Sequence, residues 1–134
     1  MCTYKKINIV DAPRTELHDA LELTGCEVSK NELLAGGAVP FVHEHKANEE
    51  LYGILDGKGE LYIDGEVVPL VAGDWFRIDP AGHRAIRAAA DCGIKYLCIQ
   101  TKRGSLEAFT ANDGALCPDK APGTSRAYAR STSA

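Results

Sequence analysis

The sequence predicts an all-β fold, a single antiparallel sandwich or barrel with one short helix near its N-terminus. Three observations carry this expectation. The chain has 134 residues, the size of one hydrophobic core. Roughly eight short strand-like runs recur at a spacing of about 8–12 residues, the rhythm of an antiparallel β fold and not of strands alternating with helices. Finally, Asp56-Gly57 and Asp64-Gly65 each lie between strand-like residues and supply the positive φ that tight hairpin turns need.

Tyr4 to Val10 is the first strand candidate, and Asp11-Ala12-Pro13 follows as a turn and helix-start signal. From Thr15 to Leu23, Leu17, Ala20, Leu21 and Leu23 are spaced for about two turns of amphipathic helix. After Gly25 apolar and polar residues alternate, or come in short runs cut by Gly, Pro and Asp-Gly. The two Asp-Gly turns imply a meander in which Leu51 to Leu55, Glu60 to Ile63 and Val67 to Val71 are successive strands. Asp74 to Ile78, a Pro80-Ala81-Gly82 turn, Arg84 to Ala88, and Ile94 to Thr101 complete the barrel. The expected organisation is an N-terminal strand and helix over 1–24, a barrel over 25–111, and an extension over 112–134. In that extension Leu116 and Tyr128 are the sizeable apolar residues, too little to offset the entropy of ordering it alone. It is expected to be mobile, or held by a neighbouring subunit.

Fifteen basic residues against nineteen acidic give a net charge of −4, and no basic stripe offers a footprint for phosphates. Nucleic acid is therefore excluded as an expected partner. No apolar run approaches the ~20 residues of a membrane-spanning helix, and Met1-Cys2-Thr3-Tyr4-Lys5-Lys6 lacks the apolar stretch of a secretory signal. A cytoplasmic location with no membrane partner is the expectation. Cys2, Cys26, Cys92, Cys98 and Cys117 are odd in number and scattered, which suits reduced thiols.

The chemistry concentrates at His43-Glu44-His45, with Glu49 and Glu50 close behind. On a strand, residues i and i+2 share a face, so His43 and His45 would project into one space. A turn at Lys46-Ala47-Asn48 then lets a carboxylate at the start of the next strand face them. Two imidazoles and one carboxylate make a facial set of ligands that leaves positions open on a divalent metal. Against this stands the plainer reading of two surface histidines in a polar loop.

The spacing around these residues resembles the first motif of the cupin superfamily: Gly37, five residues, His43, one residue, His45, four residues, Glu50, six residues, Gly57. The resemblance covers roughly Val28 to Lys102. It implies a small single-domain cupin, an antiparallel double-stranded β-helix or jelly-roll barrel, with His43, His45 and Glu50 as ligands of one divalent transition metal (Fe, Mn, Ni or Zn). Glu49 would face the other side of its strand. The second motif departs from the family. Gly73-Asp74 and Pro80-Ala81-Gly82 resemble its opening and turn, but the interval holds six residues where the family has five, and the position of the fourth ligand falls on Ala85. A gapless alignment places Arg84 there, whereas a bulge could instead aim His83 inward as a fourth ligand. An inward Arg84 could orient a substrate carboxylate or phosphate.

Alternation from Glu50 puts Tyr52 and Ile54 on the ligand's face, and Tyr96, Cys98 and Gln100 share a face of the last long strand. Tyr52, Arg84, Cys98 and Gln100 are thus the candidate substrate-pocket residues. Trp75 and Phe76 read as packing, one on each face. The expected function is a metal-dependent enzyme acting on a small, polar, oxygen-rich molecule by isomerase, oxygenase or decarboxylase chemistry. The alternative is a non-catalytic module that binds a small ligand. Small cupins often pair through edge strands, so the resemblance also implies a homodimer.

Overall fold

The computed structural model describes residues 2–123. They form β1 (Arg14–Glu16), α1 (His18–Leu21), β2 (Glu27–Leu33), β3 (Asn48–Ile63), β4 (Glu66–Val71), β5 (Trp75–Ile78), β6 (Arg84–Ala88), β7 (Ile94–Lys102) and a 3-10 turn at Thr110–Asn112. All named strand pairs are antiparallel, and β3 belongs to both sheets of the barrel. Its first part lies between β7 and β5, in a sheet that continues from β7 to β2 and β1. Its second part, from Lys58 onward, lies between β4 and β6. The segment before β3 adds to this second sheet through isolated bridges of Ala38 to Arg87 and His43 to Arg84. The fold is the expected all-β jelly roll.

The change of sheet occurs where the sequence suggests a hairpin. Asp56-Gly57 makes no turn. The chain runs through it, and the register against β7 shifts between Ile54 and Asp56, which is a β-bulge. Gly57 takes φ +78°, and a Cβ there would strike the carbonyl oxygen of Gly93, so only glycine lets β3 bend this closely past the next strand. The extra twist of the bulge carries the second half of β3 across to the other sheet. Asp64-Gly65, by contrast, forms the expected hairpin turn, with φ of 48° and 88°.

One N-terminal expectation is corrected, and the short helix or helical turn expected within 15–23 is found in its shorter form. Tyr4 to Val10 pairs with no strand among the described residues, and Tyr4 and Val10 are exposed. Without a sheet edge to receive them, their β propensity has nothing to act on. Residues 14–16 pair with Ser29 to Asn31 as β1, which leaves only the single turn α1 for the helix. Leu17 caps that turn without a side-chain hydrogen bond, and Glu22 closes it in the left-handed region at φ 54°. Residues 124–134 of the C-terminal extension, Tyr128 included, lie outside the described residues.

The core follows strand alternation. Ile94, Tyr96 and Cys98 of β7, Ile86 and Ala88 of β6, and Tyr52 and Ile54 of β3 are buried with Leu61, Leu70 and Ile78. Each large member removed from water contributes about 1.5–3 kcal/mol. Phe76 stacks on Tyr52 with ring centroids 5.0 Å apart, at the inner side of the core. Trp75 does not pack inside: it is 55% exposed, and its ring lies over the bare backbone of Gly53, its cross-strand partner. No helix among the described residues is long and apolar enough to cross a membrane.

Candidate metal centre

Two different elements deliver the three expected ligands. His43 lies on the short bridge beside β6, exchanging backbone hydrogen bonds of 3.0 Å in both directions with Arg84. His45 is fixed two residues later by its N–H on the Pro80 carbonyl, at 2.8 Å. Glu50 lies on β3, between Ile78 of β5 and Gln100 of β7. The ligands therefore meet across the barrel, and not across a hairpin of their own. His43 and His45 pack edge to face with centroids 5.2 Å apart.

One ligand-capable atom from each of His43, His45 and Glu50 lies within 4.8 Å of the other two. His45 Nε2 stands 3.3 Å from Glu50 Oε2, yet it is not aligned as a hydrogen bond. His43 Nδ1 and His45 Nε2 are both buried without a partner. An unpartnered buried Nε2 on His45 facing a carboxylate, with an imidazole nitrogen of His43 within 4.8 Å of both, suits a divalent cation, whose donors at ~2.1 Å from the ion stand about 3 Å from one another. The residues present fit such an ion with a small inward adjustment. Burial holds the His43 pKa below its ordinary value, although Glu50 pulls the other way, so this imidazole keeps the neutral form that ligation requires.

Glu50 is 2% exposed and its carboxylate is held from several sides. Arg84 Nη1 donates to Oε1 at 2.7 Å and the Tyr52 hydroxyl donates to the same oxygen at 3.2 Å. The Cys98 thiol donates to Oε2 at 3.1 Å. Burial alone would raise the pKa of Glu50. The thiol hydrogen bond, His45 and the Arg84 charge together outweigh it and hold the pKa below the ordinary carboxylate value. In return, burial and the neighbouring Glu50 push the Cys98 thiol up to about 12. Burial raises Tyr52 strongly and takes Tyr96 up to about 12. All three are neutral hydrogen-bond donors at neutral pH.

The choice between His83 and Arg84 is made by the alternation of β6. Arg84, Ile86 and Ala88 face inward, and Arg84 is 1% exposed. His83 faces solvent, its Nε2 3.1 Å from Glu44 Oε2, outside the histidine–carboxylate group, and no bulge turns it inward. Nor does Arg84 extend an open fork toward a substrate. Its Nε donates to the Gly82 carbonyl at 2.9 Å, Nη1 to Glu50, and Nη2 to the carbonyls of Asp79 at 2.7 Å and Pro80 at 3.2 Å. The guanidinium locks the Pro80-Ala81-Gly82 turn to the ligand carboxylate.

A cavity of about 580 Å³ opens from this group, and Tyr52, Arg84, Cys98 and Gln100 all line it, as do Tyr96 and Asn31. Gln100 accepts from the Asn48 amide at 3.3 Å. Among the lining residues that sequence reasoning missed are Asn31 and Glu32 of β2 and, brought in by β1, Arg14. A charged residue in a three-residue strand that reads as the start of a helix carries no signal of its own.

A barrel of this topology, with a His-x-His bridge and a glutamate on the neighbouring strand, defines a cupin. Residues 31–100 match the family model described as a cupin domain, and the chain belongs to that family. The structure is similar to that of a cupin protein from Bacteroides fragilis, 57% identical, with a TM-score of 0.85 over 87% of this chain and 99% of that one. It is also similar to a predicted oxalate decarboxylase from Thermotoga maritima, 27% identical, with a TM-score of 0.53 over 56% of this chain and 64% of that one. Among curated proteins, an uncharacterised protein of Methanocaldococcus jannaschii is 32% identical over 62 residues, which are 46% of this chain and 50% of that protein. The match thus spans about half the length of that curated relative.

Proposed function

We propose that the protein is a metal-dependent cupin enzyme acting on a small, polar, oxygen-rich molecule, with His43, His45 and Glu50 holding one divalent transition metal of the Fe, Mn, Ni or Zn type. The observation that carries this reading is the convergence of one ligand-capable atom from each of His43, His45 and Glu50 within 4.8 Å, with His45 Nε2 buried and unpartnered beside the Glu50 carboxylate, at the wall of a cavity large enough for a small molecule. When bound, such a metal supplies Lewis-acid or redox chemistry to substrate oxygens. The chain's own part is to orient and exclude. Arg84 and Tyr52 hold Glu50 Oε1, which keeps the carboxylate ionised and aimed, and Cys98 holds Oε2. The neutral Tyr96 and Cys98 groups give the cavity donors that do not compete for a cation. The similarity to an oxalate decarboxylase by name makes small carboxylic acids a sensible class to test first.

The second reading is a non-catalytic cupin that captures a small ligand. It is favoured by the engagement of four of the five Arg84 N–H donors within the protein, together with the high pKa of Cys98 and of both cavity tyrosines, which leave no free base beside the ligand set. Untagged protein should carry metal by elemental analysis, and His45→Ala or Glu50→Gln should lose it. Full occupancy in both variants overturns the ligand assignment. Metal-loaded protein incubated with keto acids, uronates and catechols, under air and under nitrogen, then separates the two readings. Turnover supports the enzyme, and silence across the panel supports the binding module.

A homodimer and a cytoplasmic location belong to the same proposal. Val67, Val68 and Val71 on β4 and Trp75 on β5 are exposed apolar residues beside a groove between these strands, which gives an edge for a second copy to cover. Light scattering tests the first, and a monomeric mass refutes it. Cell fractionation tests the second.

A further inference from the structure

Two guanidinium groups line the cavity, and they stand in opposite states. That of Arg84 is buried and donates to Glu50 and three carbonyls. That of Arg14 is about half exposed, with 52% of its side chain reached by solvent, and so sits where the cavity meets the outside. Among the described residues Arg14 donates to two partners only, Asn31 Oδ1 from Nη1 at 2.8 Å and Glu16 Oε1 from Nε at 3.0 Å. A guanidinium has five N–H donors, so three remain, including both on Nη2. Each charge of the wall has an opposite charge near it, Arg14 with Glu16 at 3.0 Å, Glu32 with Lys95 at 3.4 Å and Glu50 with Arg84 at 2.7 Å, but only the Arg14 guanidinium is half exposed and keeps a whole Nη2 group free.

The fold also aims Arg14. Strand register places it in a cross-strand row with Asn31 of β2, Tyr96 of β7 and Ile54 of β3. Asn31 and Tyr96 are buried, so this row is the inner face of the sheet. The next row holds Glu16 at its outer end with Ser29, Cys98 and Tyr52, and the row after it Glu27, Gln100 and Glu50. Arg14 and the Glu50 carboxylate thus lie on one concave surface. The Asn31 amide that receives Arg14 is itself fixed, since its Nδ2 donates to Ser29 Oγ at 3.0 Å and both residues are buried. A buried amide held on one side and accepting from a cation on the other is a device for keeping that cation in one place.

We propose that Arg14 is the group that recognises the distal carboxylate of a small diacid whose other end reaches the His43, His45 and Glu50 group. This names the substrate class of the site and rests on the metal reading for the near end of the ligand only. Arg14 is specificity-determining through a charge-assisted, two-pronged bond, and Asn31 is its positioning residue. The open N–H pair on Nη2, with the neutral Tyr96 hydroxyl in the same cross-strand row, suits an anion and gives a neutral alkyl end no comparable partner; the single Cys98 proton is already given to Glu50 Oε2.

The test is calorimetric titration of metal-loaded and chelator-treated protein with malate, hydroxyglutarate and hydroxyadipate, each against the hydroxy monoacid of the same chain length. At least one diacid is expected to bind wild-type protein about tenfold or more tighter than its monoacid. Arg14→Met is expected to abolish that ratio while leaving monoacid affinity and metal content unchanged, and Arg14→Lys to restore part of it. A ratio that survives Arg14→Met, equal weakening of diacid and monoacid, or no binding of any acid by wild-type protein overturns the proposal. Metal content is read separately. If His45→Ala keeps its metal, the ligand assignment fails, while an Arg14-dependent diacid preference in chelator-treated protein still supports the carboxylate site.

Discussion

Replacing Arg84 with methionine keeps much of the side-chain volume and removes the charge that faces Glu50. The carboxylate is 2% exposed, so solvation from the cavity it lines replaces the guanidinium only in part. Glu50 Oε1 would keep only the 3.2 Å bond from Tyr52, the Gly82 carbonyl would lose its donor, and the carbonyls of Asp79 and Pro80 would keep only the N–H groups of Gly82 and His45. Breaking a buried ion pair from one side costs about 3–5 kcal/mol. For a chain of this size that corresponds to a fall of roughly 10–20 °C in Tm. Urea and thermal unfolding of chelator-treated protein at neutral pH measure the loss. The Arg84→Met, Glu50→Gln double variant should regain at least about 1 kcal/mol relative to the sum of the single losses, because no unpaired charge is left inside. A divalent metal in excess should shrink the loss in Arg84→Met by supplying a cation to the same carboxylate. Single variants within about 1 kcal/mol of wild type, or strictly additive losses, would refute the view that this pair is a coupled buried unit.

Stability should fall at both ends of the pH scale. Cys98 and Tyr96 are raised to about 12 in the fold, so their contribution is complete below their ordinary values of 9.0 and 10.0 and is lost as pH climbs toward about 12. His43 and Glu50 are shifted down, so their contributions are present above their ordinary values of 6.5 and 4.5 and are lost as pH falls through the lower folded values, His43 first. Urea midpoints measured from acid to alkali check both windows; a flat profile above pH 9 would contradict the burial of the thiol and phenols. Gly57→Ala should cost about 2 kcal/mol or more beyond Gly65→Ala, because both sites have positive φ but only the first places a Cβ against a carbonyl, that of Gly93. Equal unfolding midpoints for the two variants would show that the bulge has room. His83→Ala should leave metal content unchanged, since its ring meets Glu44 and solvent, and elemental analysis decides it.

Most of the fold and the meeting of His43, His45 and Glu50 could be read from residues alone because their signals are local. His-x-His and a glutamate five positions on survive any reasonable strand assignment, and alternation from Glu50 correctly put Tyr52 and Ile54 on one face. Asp56-Gly57 misled because a bulge and a hairpin need the same thing from glycine, a positive φ, and only the strand on the other side distinguishes them. Residues 15–23 gave a single helical turn at His18–Leu21 because helical spacing over two turns is weaker than an available sheet edge, which captured residues 14–16. The orientation of His83 depended on the register of β6, which a single residue reverses. The role of Arg84 depended on three carbonyls of a turn, and backbone acceptors leave no trace in residue identity.

The passage of β3 through both sheets limits where this chain tolerates being opened. A circular permutant cut between Asp64 and Gly65 would place its new ends at a surface turn and leave every ladder paired. One cut between Asp56 and Gly57, which look alike in sequence, would sever the strand that ties the two halves of the barrel and detach the segment bearing Glu50 from the segment that holds β4 and β6. Of two identical dipeptides, one is a place for insertions and fusions, and the other is the hinge pin of the barrel.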